Sequence, residues 1–180
     1  VTFANARALT TRATFGAMGV YWLALSCSDG ELSGRDSMQV AVTAPPPIVE
    51  TRIAAGGDDA EELTTGAVVL NASKLGLMTD GSKPRSLTGL RFTGLAIPPG
   101  ANIVAAWIQF KAKEAQIDPT TLTLRGVAAD SARVFAGTVG SLSTLPPTIA
   151  QAIWRAAPWT VGATGVEQRS ADIRDLVQEI

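Results

Sequence analysis

Four carboxylates crowd behind a glycine pair in the stretch Gly56-Gly57-Asp58-Asp59-Ala60-Glu61-Glu62. Calcium takes several hard oxygen ligands converging on one point, so Asp58, Asp59, Glu61 and Glu62 are candidate ligands for a structural calcium ion, carried on what reads as a polar loop. The spacing is not that of an EF-hand, Lys74 intervenes, and no further acid follows before Asp80; the alternative is a solvated charged turn. Paired carboxylates also cleave glycosidic bonds, but only when they face each other across the sugar. Neighbours in one loop do not, and Asp130 stands alone. The chain has no histidine and one cysteine, Cys27, which excludes a Ser-His-Asp triad, a Cys-His pair, an imidazole-built zinc site and an intrachain disulfide. The sole tyrosine, Tyr21, alternates with core positions and is a poor catalytic base.

The second candidate chemistry is stacking. An exposed indole packs against the apolar face of a pyranose while polar neighbours bond its hydroxyls. In Val104 to Ala112, strand parity puts Val104, Ala106, Ile108, Phe110 and Ala112 on one face and Trp107, Gln109 and Lys111 on the other. With Arg91 and Arg125 expected on the same outer face, Trp107, Gln109, Lys111, Arg91 and Arg125 form a candidate site for an acidic polysaccharide. The alternative places Trp107 beneath a loop or against a neighbouring repeat. Trp154 and Trp159 are expected to pin the final loop and helix, while Trp22 faces outward on its strand.

The elements that would position these groups are strands. Gly and Pro punctuate the chain in short clusters and only 17% of its 180 residues are charged. Tyr21, Leu23, Leu25 and Cys27 share one strand face, with Cys27 expected in the core as a small hydrophobe. A Ser28-Asp29-Gly30 turn leads to a second strand through Met38, Val40 and Val42. Earlier, Val1, Phe3, Ala13 and Phe15 suit one or two short strands. Ala44 to Pro47 removes backbone donors and reads as a linker. Beyond it, strands are expected at Val49 to Ile53, Ala67 to Leu70, Leu75 to Met78, Leu87 to Leu95, Val104 to Ala112 and Thr121 to Val127, with a turn over Thr79 to Pro84. A short helix capped by Ser170, with Asp172 in its first turn, follows from Ile173, Leu176, Val177 and Ile180. The expected class is all-β.

The run from Ala13 to Val42, through Gly19, Tyr21, Asp29, Gly30 and Asp36, resembles the closing half of a PKD or related immunoglobulin-like repeat. RIAAGGDDAEELTTGAVVL, GLRFTGLAIPPGANIVAAWIQFKAKEA, LRGVAADSARVF and WRAAPWTVGATGVEQRSADIRDLVQEI are similar to jelly-roll modules of the DNRLRE type, found in large exported bacterial proteins and in some cases binding polysaccharides. These resemblances imply a partial immunoglobulin-like sandwich over 1–43, a linker at 44–48, and over 49–180 a larger jelly-roll sandwich with one short C-terminal helix. They also imply that both modules are cut, the first at its start and the second at its end, within a longer secreted or cell-surface chain.

Function is bounded accordingly. A formal net charge of −1 and scattered basic residues argue against nucleic acid as a partner, and no apolar run is long enough to insert in a membrane. The reading is a non-catalytic extracellular module that binds polysaccharide or a cell-surface glycan or mediates adhesion. The alternatives are a stalk or fibre subunit assembling with neighbouring domains or subunits through sandwich edges, and an accessory domain of a secreted hydrolase or lyase.

Overall fold

The structure, a computed structural model, describes residues 1–77 and 87–180 in full and the backbone of 85 and 86. The expected turn over Thr79 to Pro84, with Met78, lies outside the described residues. The chain is all-β and falls into two compact units, Val1–Ile48 and Val49–Ile180.

In the first unit, β1 (Thr2–Phe3) pairs antiparallel with β2 (Ala13–Thr14), and β3 (Gly19–Ser28) pairs with β4 (Ser33–Val42) in an unbroken antiparallel register from Gly19↔Val42 to Ser28↔Ser33. The turn between β3 and β4 closes as its residue types demand. The Asp29 carboxylate accepts the Glu31 and Leu32 amides at 3.0 and 2.8 Å, and Gly30 takes φ 99°. Phe15 lies 5.0 Å from the Tyr21 ring and covers one end of the ribbon. The rest is open. Leu25 is 72% exposed and Cys27 is exposed, correcting the expectation that they line a core, because β3 and β4 form a two-stranded sheet with no layer over that face among the described residues.

The second unit is built around β5 (Asp59–Leu63), the central strand of a three-stranded antiparallel sheet with β6 (Val68–Leu70) and β7 (Arg85–Leu90). Of the acidic stretch expected as a polar loop, Asp59, Glu61 and Glu62 thus lie in a largely buried strand, with Asp58 in the bend before it. Leu75–Leu77 and Val49–Ile53 form no strand. Thr51 instead donates its hydroxyl to the Thr93 carbonyl at 2.7 Å.

A separate pair, β8 (Thr120–Val127) and β9 (Pro147–Ala156), alternates as its sequence predicts, with Leu122 and Leu124 turned in and Thr123 and Arg125 turned out. Its ladder slips between Arg125 and Val127, where the Gly126 amide donates to the Thr148 hydroxyl at 2.9 Å. A Cβ at Gly126 would stand 2.9 Å from Thr148 Cγ2 and 2.8 Å from Ile180 Cδ1.

Residues 106–112 run extended with the expected alternation, Ala106, Ile108, Phe110 and Ala112 being the less exposed set. They form no regular strand because side chains of the facing segment supply part of the ladder. The carbonyls of Ala106 and Ile108 accept from the Ile173 and Ser170 amides, while the Ala106 and Ile108 amides donate to Asp172 Oδ1 and Ser170 Oγ. Ser170 is therefore engaged away from the helix it was expected to cap. That helix, α1 (Arg174–Glu179), starts at Ile173, with Asp172 accepting the Arg174 amide at 3.0 Å and Leu176 buried.

Where these segments meet, Phe110, Trp154 and Trp159 gather into one cluster. Phe110 stacks on Trp154 with centroids 5.3 Å apart, Trp159 lies 5.9 Å from Trp154, and Trp159 donates its indole N–H to the Glu167 carbonyl. Trp154 is 5% exposed, so truncation there removes a large core volume that no neighbour can refill. Trp154→Ala is expected to destabilise the second unit by about 3–5 kcal/mol in urea unfolding followed by fluorescence, whereas Trp22→Ala, in the exposed ribbon, is expected to leave that transition in place.

Candidate functional site

Three of the four acids, Asp58, Glu61 and Glu62, take up separate tasks. Successive residues of a strand point to opposite faces, so Glu62 projects to one side of β5 and Asp59 and Glu61 to the other, while Asp58 sits in the bend before the strand. Glu61 and Glu62 are 2% and 3% exposed. The Glu61 carboxylate accepts the Gly76 amide, and the Gly76 carbonyl in turn accepts the Thr88 hydroxyl at 2.8 Å, closing that face.

On the other face, Glu62 Oε2 accepts the amides of Leu142 and Ser143, each at 2.9 Å. These amides belong to a single helical turn, closed by the Thr144 amide on the Gly140 carbonyl, and such a turn leaves its first N–H groups without main-chain acceptors. Glu62 supplies the acceptor from a distant strand, as a capping residue does locally. Phe135 and Leu142 lie over Gly89 of β7, where an added Cβ would come within 2.8 Å of the Phe135 ring. Burial raises the Glu62 carboxyl, but the Ser143 hydroxyl and the Ser143 and Leu142 amides outweigh it and hold the group below its ordinary value.

Asp58 Oδ1 accepts from Arg91 Nη1 at 2.5 Å, and Arg91 Nε donates to the Ala132 carbonyl at 2.8 Å. Arg91 was expected on an outer face; its side chain is only 20% exposed and faces Asp58. The physical reason is the charge on Asp58, which at this burial needs a hydrogen-bonded cation. Among the described residues, no group of three or more His, Cys, Asp or Glu side chains could hold a metal ion. Asp58, Asp59, Glu61 and Glu62 do not converge, since strand parity separates Glu62 from Asp59 and Glu61 and Arg91 holds Asp58.

The aromatic candidate fares differently. Trp107 is 46% exposed, and the Arg169 guanidinium sits over its ring, 4.5 Å from the centroid. A bridge between Gln109 and Arg169 fixes this placement: residues directly opposite share a face, and Trp107 lies two positions along from Gln109. Gln109 Nε2 is held by the Phe110 and Gly165 carbonyls at 3.1 and 3.0 Å. Lys111 is exposed on the same face. Neither Arg169 nor Lys111 has an ion-pair partner among the described residues.

Arg125 stands on β8, where Nε and Nη2 both reach Gln151 Oε1, at 3.2 and 2.8 Å. The structure thus joins Trp107, Gln109 and Lys111 and adds Arg169, which sequence reasoning missed because the stretch around it shows neither clean alternation nor helical periodicity. Asp130 is exposed.

Comparisons of the chain with protein-family models, with curated proteins and with solved structures find no match. Fold and site define an all-β protein whose acidic strand is spent on backbone amides and an internal arginine, and whose accessible aromatic surface carries positive charge.

Glu62→Ala would leave two amides without their acceptor and is expected to cost roughly 3 kcal/mol of stability in urea unfolding, with Glu62→Gln, which keeps one carbonyl oxygen, costing less. Because the folded-state carboxyl is held low, its contribution is fully present above the ordinary carboxylate range and is lost as pH falls through the lower folded-state value. A stability profile over that acid range is expected to be flatter for Glu62→Gln than for the parent.

Proposed function

We propose that the chain is a non-catalytic, extracellular β-sandwich portion of a multidomain bacterial protein, and that its Trp107 surface binds an acidic polysaccharide. The observation that carries this reading is the half-exposed indole capped on one side by Arg169, with Lys111 on the same face. A pyranose stacks on the accessible part of the ring while a carboxylate or sulfate substituent meets the guanidinium fork and the ammonium. Gln109 serves this surface by holding its backbone in place through the Phe110 and Gly165 carbonyls.

The non-catalytic part is supported by what the acids are used for. A general acid and its partner must flank a substrate bond, and Glu61 and Glu62 project to opposite faces of one sheet with almost no exposed surface. The resemblance to PKD-like and DNRLRE-like sequences supports the extracellular setting, and the same setting suits a role in surface adhesion.

Affinity electrophoresis through gels containing uronate-rich, sulfated or neutral polysaccharides tests the reading. Retardation is expected in at least one acidic polymer, weakened by salt, and reduced about tenfold or more in Trp107→Ala and Arg169→Ala, a loss of roughly 1.4 kcal/mol. No retardation in any polymer, or retardation indifferent to both substitutions, would reject it.

A further inference from the structure

We propose that the free edge of β3 is a self-pairing edge, through which two copies of the chain join antiparallel about a two-fold axis into a continuous sheet ordered β4-β3-β3-β4. This rests on the first unit and is independent of the polysaccharide surface. Within the described residues β3 pairs with β4 alone, so its other side presents a row of main-chain donors and acceptors along ten residues. Edges of this kind are ordinarily blunted by charge, proline or a bulge. The sequence GVYWLALSCS has no charge and no proline, and the β3–β4 register runs without a bulge. Its partner strand differs: β4 carries Arg35 and Asp36 side by side, which discourages the same pairing there.

The occupant is a second copy because β3 is its own complement. In an antiparallel pairing centred on Leu23, Tyr21 stands across from Leu25 of the other copy, and Cys27 from Gly19. On the opposite face Trp22 stands across from Ala24 and Val20 from Ser26, so large side chains meet small ones. The register also keeps both copies' Tyr21, Leu23 and Leu25 on one face, widening an apolar surface whose Leu25 and Met38 are exposed in a single chain. No like charges are brought together within β3. One added strand pair buries less than the roughly 800 Å² per partner of a standard interface, so the association is concentration-dependent rather than permanent.

The test uses the full chain with Cys27→Ser as background. Leu23 meets its counterpart across the axis with Cβ atoms about 5 Å apart, whereas the two Val20 residues lie about 20 Å apart in this register. Under mild oxidation, Leu23→Cys is expected to form a covalent dimer at least tenfold faster than Val20→Cys. Sedimentation velocity across a concentration series is expected to show a monomer–dimer equilibrium that Ala24→Lys, at an exposed position, abolishes. Monomer at every concentration, equal cross-linking at both positions, or dimers that survive Ala24→Lys would each overturn the proposal.

Discussion

The second unit depends on a carboxylate with almost no access to water. Glu62 sits 3% exposed in the central strand of its sheet and accepts two amides from a turn eighty residues further along the chain. Burying a charge is costly unless hydrogen bonds replace its hydration, and two main-chain donors at 2.9 Å meet that condition. The exchange works in both directions, because the turn's first amides have no acceptor of their own. Leu142 is carried with it over Gly89, where the absence of a side chain gives Phe135 and Leu142 room to close on the sheet.

The same device recurs elsewhere in the unit. Asp172 accepts the Ala106 amide, Gln178 accepts the Ile103 amide, and Glu179 accepts those of Ile149 and Ala150, so side chains of the C-terminal segment add to its backbone bonds in clipping 101–112 and β9. A short helix with acceptors in and before it does here what an additional regular strand would do in a plainer sheet. Asp172, whose side chain is far more exposed than that of Glu62, is held below its ordinary value chiefly by the Ala106 amide, against the opposing effect of burial.

What the sequence made legible follows from how local each signal is. Alternation alone located β3, β4 and β8 and the orientation of Trp107, because a strand's inward and outward faces are written in neighbouring residues. The fate of Glu61 and Glu62 was not legible: polar residues beside a glycine pair read as a loop, and the amides that bury them come from Gly76, Leu142 and Ser143. Arg91 was misplaced for the same reason, its partner Asp58 lying in the bend before β5, far from it in sequence. Cys27 failed in the opposite sense, since its parity was right but parity cannot say whether a second layer covers the face. Ser170 fits a local capping rule, yet its hydroxyl accepts the Ile108 amide across the fold.

This division of labour separates the acids that hold the unit together from the surface around Trp107 and Arg169 on which the proposed binding rests. It makes the acidic strand a structural centre whose order comes from backbone donors. Amide hydrogen exchange at Leu142 and Ser143 tests that claim most directly. At neutral pH both amides are predicted to exchange at the slow rate of the core strands, equally with and without a calcium chelator. Exchange as fast as that of an exposed turn, or protection that appears only when calcium is present, would contradict it.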